Sequence, residues 1–314
     1  MSLLPGWTAR DIPDLTGRRA VVTGASSGLG RHTAVALARH GARVVATART
    51  AEKGEGTARR VRAEVPDAHI EPALLDLADL SSVEEFATAY GVEPLDILVN
   101  NAGVMAIPPM LTADGFEMQL GTNHLGHFAL TGRLLPALLR RPGSRVVTVS
   151  STLHRLGAMN FADLMGERGY QPWAAYHQSK LANLLFMREL DRRSREAGAD
   201  LVSVAAHPGY ASTNLQTVGP RMSGSTVSLL VMKGATAVLG QRAATGALPQ
   251  LHAATAPGVR GGDYFGPRGP GEQRGLPKRV GMSRNARDDA AAGQLWRASE
   301  ALTGVTYAEL STRV

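Results

Sequence analysis

Short apolar runs alternate with segments of helical periodicity along the first two thirds of the chain. The runs have the length and composition of buried strands and occupy residues 18–23, 42–47, 69–74, 95–99, 145–149 and 201–206. Apolar residues three or four positions apart predict helices over residues 33–40, 51–65, 81–90, 115–140 and 173–195, with Pro136 a candidate kink in the fourth. This alternation predicts a doubly wound parallel α/β sheet, whose ligands bind at the carboxyl ends of the strands.

The first strand runs directly into a glycine-rich turn. The turn reads Gly24-Ala25-Ser26-Ser27-Gly28-Leu29-Gly30, and the helix that follows ends at Gly41. A strand, a glycine-rich turn, a helix and a second strand form a βαβ unit, in which a pyrophosphate approaches the backbone at the positive end of the helix. We therefore expect a Rossmann fold that binds a dinucleotide on this turn. The expected contacts are Gly24, Ser26, Ser27, Gly28, Leu29 and Gly30.

The second strand indicates which dinucleotide is bound. An NAD site usually has an Asp or Glu about 20 residues past the glycines, which binds the ribose 2′-hydroxyl. No acid lies between Arg31 and Ala51, and the strand ends instead at Arg49, with Arg31 close to the turn. A guanidinium binds a phosphate through forked, charge-assisted hydrogen bonds. The sequence therefore favours NADP(H), although Arg49 could be one arginine among many in an Arg-rich chain.

A second candidate site is the run Tyr176-His177-Gln178-Ser179-Lys180, inside the helix predicted over residues 173–195. Residues four apart on a helix share a face. A Lys ammonium beside a phenol should lower the pKa of the Tyr from about 10 and make it a proton donor and acceptor near neutral pH. Taken alone, the same run is equally consistent with a surface Tyr beside a solvated Lys.

Composition restricts the class of protein. The chain has 314 residues, of which 44% are hydrophobic, enough for one α/β domain over residues 1–314. It contains no Cys, which excludes disulfides, thiolate metal sites and Cys nucleophiles. Residues 1–10 have no basic segment followed by an apolar core, and no apolar run is long enough to span a bilayer. We expect a cytoplasmic protein, and the excess of Arg over Lys with abundant Ala and Gly suggests a bacterial source.

The net charge of +7 raises the question of a nucleic-acid partner. The basic residues are spread along the chain, and no basic segment is interleaved with aromatic residues. We therefore expect no nucleic-acid partner, since an anionic cofactor explains part of the charge. His124, His127, His154, His177 and His207 show no metal-ligand spacing, so we expect no metal.

Polar residues follow four of the predicted strands. Asp76 follows the third strand, Asn100-Asn101-Ala102-Gly103 the fourth, Ser150-Ser151 the fifth and His207-Pro208-Gly209 the sixth. Because the carboxyl ends of parallel strands share one edge of the sheet, these groups should lie near one another.

Together these motifs resemble the short-chain dehydrogenase/reductase family, in order and over most of residues 17–215. The matching motifs are Thr23-Gly24-x-x-x-Gly28-x-Gly30, Asn100-Asn101-Ala102-Gly103, Asn123, Ser150-Ser151-Thr152, Tyr176-x-x-x-Lys180 and Pro208-Gly209. Within the family, residues 123–128 and 176–183 resemble the retinol dehydrogenase and protochlorophyllide reductase-like branch.

The resemblance implies a catalytic set. Tyr176 would be the general acid/base, and Lys180 would lower its pKa and hold the nicotinamide ribose. Ser151, preferred to Ser150 on its spacing to Tyr176, would bond the substrate oxygen. Asn123 would anchor a water between Lys180 and solvent. The remaining cofactor contacts implied by the resemblance are Asp76 at the adenine, Leu77, Asn101, Ala102 and Gly103, with Pro208, Gly209 and Thr213 at the nicotinamide.

The substrate should be determined by the segments 152–173 and 214–248, which are rich in apolar side chains, including a predicted helix over residues 227–239. They suggest a roomy apolar pocket. We expect an NADP(H)-dependent oxidoreductase that interconverts a bulky hydrophobic ketone or aldehyde and its alcohol. Its partner would thus be a small-molecule hydrophobic carbonyl compound or alcohol. The tail should add a last edge strand from residue 261 and a closing helix over residues 286–302.

Three other functions fit the sequence less well. A catalytically silent NADP-binding sensor would lose the catalytic set, which is complete here. A sugar-nucleotide epimerase usually has another glycine spacing, and a light-driven tetrapyrrole reductase is expected to use a Cys. The sequence does not determine the substrate, the reaction direction or the stereochemistry. It is compatible with a homo-oligomer as well as with a monomer.

Overall fold

A computed structural model describes residues 6–210 and 241–311. Its strands are β1 (Arg19–Val22), β2 (Arg43–Ala48), β3 (Ile70–Leu74), β4 (Ile97–Asn100), β5 (Ser144–Val149), β6 (Leu201–Ala206), β7 (Tyr264–Pro267) and β8 (Pro277–Arg279). They form one sheet in the order β3-β2-β1-β4-β5-β6-β7-β8. Strands β1 to β7 pair in parallel, and β8 pairs antiparallel with β7. The doubly wound parallel sheet is therefore confirmed, and the strand order reverses between β1 and β4.

The helices connect successive strands and cover both faces of the sheet. They are α1 (Gly28–Arg39), α2 (Ala51–Glu64), α3 (Leu80–Tyr90), α4 (Met118–Leu120), α5 (Gly126–Leu139), α6 (Pro172–Glu196), α7 (Ala243–Gly246), α8 (Leu248–Thr255) and α9 (Asp289–Thr303). Side chains of β1 show how both faces are filled. Ala20 and Val22 belong to the apolar cluster under α1, α2 and α8, while Val21 belongs to the cluster under α3 and α5. Strands buried on both faces explain the nearly continuous apolar runs in the sequence.

Two helix predictions need correction. Helix α1 begins at Gly28 rather than residue 33, because the second half of the glycine-rich turn is already helical. The helix predicted over residues 115–140 begins at Met118, where the Glu117 carboxylate accepts hydrogen bonds from the amides of Gln119 and Leu120. A π-helical turn (Gly121–Leu125) separates α4 from α5, and Pro136 lies inside α5. A π-turn inserts one residue, a feature frequent at functional sites and invisible to a 3.6-residue pattern.

The edge strand expected from residue 261 was wrong in its position. β7 begins at Tyr264 and is internal, because β8 pairs with it and forms the edge of the sheet. β8 has three residues, of which Lys278 and Arg279 are exposed, so it carries no apolar pattern. A short, charged edge strand discourages pairing with other chains. The closing helix lies close to the prediction, as α9, and its Trp296 is buried between α5 and α6.

His124 and His127 are buried on the helix that carries Asn123. Nε2 of His124 lies 2.8 Å from the Ser299 hydroxyl. Nε2 of His127 lies 2.9 Å from the Thr23 hydroxyl, and its Nδ1 lies 3.1 Å from the carbonyl oxygen of Asn123. Burial lowers the pKa of His124 to about 3 and that of His127 to about 4. Both rings are therefore neutral packing elements at neutral pH.

These histidines should make the fold sensitive to acid. Their pKa values in the folded state lie below the ordinary 6.5, so the unfolded chain takes up protons first as the pH falls. The stability they confer is complete above pH 6.5 and is lost as the pH falls toward 4. Between about pH 7.5 and 5, the free energy of unfolding should fall by about 2 kcal/mol for each histidine.

Urea unfolding at both pH values measures this loss. In His127→Gln the loss should shrink by about 2 kcal/mol, whereas the exposed His69→Gln serves as the control and should leave it unchanged. An identical pH dependence in His127→Gln and the parent protein would contradict the assignment.

Candidate active site

A cavity of about 250 Å³ opens at the carboxyl ends of β1 to β4. It brings together the residues that the sequence assigned to the turn, to Arg49, and to the ends of β3 and β4. They are Gly24, Ser26, Ser27, Gly28, Leu29, Gly30, Arg49, Asp76, Leu77, Asn101, Ala102 and Gly103. Thr47, Ala48, Lys53, Leu75, Val104 and Thr122 also line it and were not expected. Lys53 lies four residues after Arg49, at the start of α2, and that spacing could have identified it.

The turn and the end of β4 approach so closely that one residue must be glycine. A Cβ on Gly30 would lie 2.4 Å from the carbonyl oxygen of Gly24 and 2.6 Å from Nδ2 of Asn101. Ser27, which precedes α1, makes no side-chain capping bond. The first amides of α1 are thus available to an anion at the positive end of the helix dipole.

Asn101 ties the end of β4 to the end of β1. Its Nδ2 donates to the carbonyl oxygen of Thr23 over 2.8 Å, and its amide donates to the Thr23 hydroxyl over 2.9 Å. The amide of Ala102 donates to the same hydroxyl. Asn100, in contrast, is buried and donates to the hydroxyl of Thr131 in α5. Asn101 therefore shapes the cavity wall, whereas Asn100 joins β4 to α5.

Cationic side chains are found at one end of the cavity. Arg49 and Lys53 line it and are exposed. Arg31, which lies close to the turn in sequence, forms an ion pair with Glu64 and is not part of the lining. Asp76 lines the cavity, with Oδ1 accepting a hydrogen bond from the amide of Ala78. The arrangement suits a dinucleotide with a phosphate beside Arg49 and Lys53.

Tyr176 and Lys180 lie on α6 and are buried, 4% and 3% exposed. Nζ of Lys180 donates to the carbonyl oxygen of Val149 over 3.2 Å and lies 5.8 Å from the centroid of the Tyr176 ring. A Cβ placed on Gly103 would lie 3.4 Å from that Nζ. Gly103 lines the cavity, so the ammonium group of Lys180 lies next to the cavity.

The pKa of Tyr176 contradicts the expectation that Lys180 lowers it. Burial raises the pKa of Tyr176 to about 12, and a hydrogen bond from Ser151 only partly opposes this. Burial also lowers the pKa of Lys180 to about 8. The cost of burying a phenolate thus exceeds the stabilisation that the neighbours provide. At neutral pH Tyr176 is a phenol, able to donate a proton.

The two serines after β5 differ in their surroundings. The Ser150 hydroxyl is buried and donates to the carbonyl oxygen of Lys180 over 2.7 Å. The Ser151 hydroxyl accepts from the amide of Leu153 over 3.2 Å and lies close enough to Tyr176 to oppose the rise in the pKa of that residue. Ser151 therefore stays the predicted partner of Tyr176, while the hydroxyl of Ser150 is engaged by the backbone.

Asn123 lies in the π-turn with its side chain fully engaged. Its Oδ1 accepts from the amide of Val104 over 2.8 Å, and its Nδ2 donates to the carbonyl oxygen of Val104 and to the hydroxyl of Ser179, each over 2.9 Å. The side chain therefore fastens the loop after β4 to α6 and does not itself project toward solvent.

Other predicted positions lie outside the cavity. Pro208 and Gly209 follow β6 and are not among the lining residues. Thr213 and residues 214–240 of the second substrate segment, including the predicted helix, lie outside the described residues. In the first substrate segment, Leu156 and Trp173 are exposed. Met159, Phe161, Leu164 and Met165 are half-buried and pack against a core cluster.

Tyr170 contributes to a polar cluster that the sequence did not indicate. Its hydroxyl lies 2.7 Å from Nε2 of Gln119 and donates to the carbonyl oxygen of Ile107. Gln119 also accepts a hydrogen bond from the amide of Ala106. These contacts fix the loop after β4 to the segment that precedes α6.

Within residues 6–210 and 241–311, no group of three or more His, Asp or Glu side chains could hold a metal ion. Over the same ranges, no helix combines the length and apolar character needed to cross a bilayer.

Comparison with known proteins identifies the family. A family model for the short chain dehydrogenases matches residues 18–222. Human retinol dehydrogenase 12 is 38% identical over 306 residues, which cover 96% of this chain and 91% of that protein. The chain therefore belongs to the short chain dehydrogenase family, in its retinol dehydrogenase-like branch, and is an NAD(P)-dependent oxidoreductase.

Two solved structures share this fold. The crystal structure of an uncharacterised protein from Mycobacterium paratuberculosis has a TM-score of 0.80 at 45% identity and covers 96% of this chain and 99% of that one. The Pseudomonas aeruginosa RhlG/NADP active-site complex has a TM-score of 0.62 at 26% identity and covers 80% of this chain and 94% of that one.

The close approach at Gly30 should make its substitution costly. Gly30→Ala forces the new methyl group into the Gly24 carbonyl and should destabilise the fold by about 1–3 kcal/mol in urea unfolding. Dinucleotide binding, followed by fluorescence titration, should weaken at least tenfold, or by about 1.4 kcal/mol. Gly56→Ala on α2 is the matched control, because its Cβ has space and Ala favours a helix by about 1 kcal/mol. Unchanged stability and binding in Gly30→Ala would show that the turn can yield.

Proposed function

We propose that this short chain dehydrogenase uses NADP(H) to interconvert a bulky hydrophobic ketone or aldehyde and its alcohol, with Tyr176 as general acid/base. The observation that carries the proposal is the buried phenol of Tyr176, close to Ser151 and one helical turn from Lys180, whose ammonium group lies next to the cavity-lining Gly103. A titratable group with a strongly shifted pKa next to such a cavity is a candidate for proton transfer.

The residues of the cavity fit the cofactor. The turn and the first amides of α1 suit the pyrophosphate. Asp76 and Leu77, which line the cavity, would hold the adenine, and Arg49 and Lys53 suit a 2′-phosphate. Lys180, close to Gly103, would hold the nicotinamide ribose.

When bound, NADPH supplies the hydride that a carbonyl carbon accepts. Ser151 and Tyr176 donate hydrogen bonds to the carbonyl oxygen, which stabilises the negative charge that develops there. Tyr176 then delivers the proton from its hydroxyl. Lys180 supports the phenolate left behind, and Asn123 keeps the loop after β4 against α6 next to Lys180.

An apolar substrate is supported by two observations. The Trp173 ring is 44% exposed and lies 6.3 Å from the ring of Tyr176, centroid to centroid. The relatives include proteins named retinol dehydrogenases, and retinol is a long apolar alcohol. Apolar side chains near the proton donor favour a hydrophobic carbonyl compound over a small acidic one.

Tyr176→Phe tests the chemistry. The substitution keeps the ring and removes the hydroxyl, so kcat should fall about 10²–10⁴-fold while the Kd for NADPH changes little. NADPH consumption against a panel of hydrophobic ketones and aldehydes measures kcat. Tyr90→Phe, on α3 and stacked on Phe86, is the control and should be fully active. Binding of NADPH without turnover of any panel compound by the parent protein would favour a silent NADP-binding sensor. Better turnover of small acidic carbonyls would overturn the apolar pocket.

Cofactor choice is tested at the cationic end of the cavity. Arg49→Ala and Lys53→Ala each remove a charge beside the expected 2′-phosphate, so the preference for NADPH over NADH should fall about 10–100-fold per substitution. Titration with both nucleotides gives the ratio of the two Kd values. Arg31→Ala is the matched control, since Arg31 is paired with Glu64. An unchanged ratio in both test variants would refute the choice of NADP(H).

A further inference from the structure

Glu272 lies in the loop between β7 and β8, away from the cavity and from Tyr176 in sequence. Its φ is +59°, in the left-handed region that a non-glycine residue rarely adopts. Such conformations persist only where the surroundings hold them, and they concentrate at functional sites.

The Glu272 carboxylate joins two loops at the carboxyl edge of the sheet. Its Oε1 lies 2.9 Å from a guanidinium nitrogen of Arg155, and its Oε2 lies 3.0 Å from Nε2 of His207. Arg155 belongs to the 3₁₀ helix (Thr152–Leu156) that follows Ser151. His207 directly precedes Pro208 and follows β6. The contact with His207 is shielded from water, because the His207 side chain is buried and that of Glu272 is only 17% exposed. The contact with Arg155 lies at the surface, since the Arg155 side chain is 47% exposed.

His207 is held in one orientation and one tautomer. The amide of Gly209 donates to its Nδ1 over 3.1 Å, which leaves that nitrogen without a proton. The neutral ring therefore carries its proton on Nε2 and donates it to Glu272. The side chain of His207 is completely buried, and the ring fills the space beside Gly266, where a Cβ would lie 2.0 Å from Nε2.

Two further hydrogen bonds hold residues 208–210 in place. The amide of Tyr210 donates to the carbonyl oxygen of Gln273 over 2.8 Å, and Nε2 of Gln241 donates to the carbonyl oxygen of Pro208 over 2.7 Å. On the Ser151 side, Nδ1 of His154 lies 2.6 Å from the carbonyl oxygen of Ser151. The segments around Ser151 and Gly209 are thus both held, and Glu272 is the side chain that bonds to both.

We propose that Glu272 is a positioning residue, which sets the separation between Ser151 and the segment Pro208–Gly209 through Arg155 and His207. The inference rests on the proposed function, in which Ser151 contacts the carbonyl oxygen, and on the family resemblance, by which Pro208 and Gly209 would line the nicotinamide. Glu272 touches neither substrate nor cofactor. Its effect is on the geometry of hydride transfer, while the residues around the glycine-rich turn provide nucleotide affinity.

Glu272→Gly separates positioning from folding. Glycine adopts φ +59° without strain, so the variant loses the carboxylate but not a backbone-compatible residue. We expect kcat to fall about 10–100-fold, the loss expected of a displacement near 1 Å, with the Kd for NADPH within about threefold of the parent value. The isotope effect with NADPH deuterated at the transferred position should rise, because hydride transfer becomes the slow step.

Two Glu→Gln variants serve as comparisons for Glu272→Gly. Glu272→Gln keeps an acceptor for His207 and loses the charge beside Arg155, so its kcat should lie between that of Glu272→Gly and that of the parent protein. Glu84→Gln removes a carboxylate from an exposed ion pair with Arg133 and should have the parent kcat. Parent kcat in Glu272→Gly would overturn the proposal. So would equal losses of kcat and NADPH affinity together with a lower melting temperature.

Hydrogen exchange tests the contact without any turnover. In the protein without nucleotide, amides in the peptide spanning residues 203–210 should exchange at least several-fold faster in Glu272→Gly, while β2 is unchanged. Unchanged exchange in that peptide would overturn the positioning role. A parent protein that turns over no carbonyl compound would instead refute the proposed function, and the exchange result would still decide whether Glu272 holds the segment.

Discussion

The hydroxyl of Thr23 is the contact on which the rest of the site depends. It lies at the end of β1, where the strand order reverses, and accepts the amides of Asn101 and Ala102. A carbonyl oxygen only accepts, so the neutral His127 ring carries its proton on Nδ1 and donates it to Asn123. Nε2 of His127 is then an acceptor, 2.9 Å from the Thr23 hydroxyl, nearer than the carbonyl oxygen of Val99 at 3.3 Å. A chain of hydrogen bonds thus connects the dinucleotide turn to the π-turn and, through Asn123, to α6.

That chain also explains why His127 is buried and neutral. A protonated ring would donate at both nitrogens, which would remove the nearer of the two acceptors of the Thr23 hydroxyl. Burial prevents this by lowering the pKa of His127 to about 4. The acid sensitivity of the fold and the geometry of the site therefore have a common physical origin in the cost of charging a buried imidazole.

The sequence predicts the parts of this molecule whose signal is local. Buried strands, the glycine-rich turn and the polar residues at strand ends all follow from patterns within a few positions, and the cavity lining contains most of the residues chosen on that basis. The catalytic roles of Tyr176, Lys180 and Ser151 stay predictions. Contacts that close over long separations leave no such pattern. Glu272 lies 117 residues from Arg155 and 65 from His207, and β8 is too short and too polar to be recognised.

The upward pKa shift at Tyr176 shows that a lysine on the same helix face does not by itself lower the pKa of a tyrosine. Residues four apart share a helix face, but Nζ of Lys180 lies 5.8 Å from the Tyr176 ring centroid and donates to Val149. Burial acts on both groups in opposite directions, raising the pKa of Tyr176 and lowering that of Lys180. Each shift favours the neutral form of its group, so the Tyr176 phenol holds its proton more tightly than an ordinary tyrosine does.

The last sixty residues support this arrangement from two sides. Behind α6, Trp296 of α9 packs on Phe128 and Phe186, and the Tyr307 hydroxyl donates to the carbonyl oxygen of Phe128. Burial of such aromatic side chains contributes several kcal/mol and fixes α6 against α5. At the carboxyl edge of the sheet, Glu272 contacts the loops after β5 and β6. Because α6 carries Tyr176 and those loops carry Ser151 and Gly209, a tail with little sequence signal supports the elements on which the predicted catalytic residues lie.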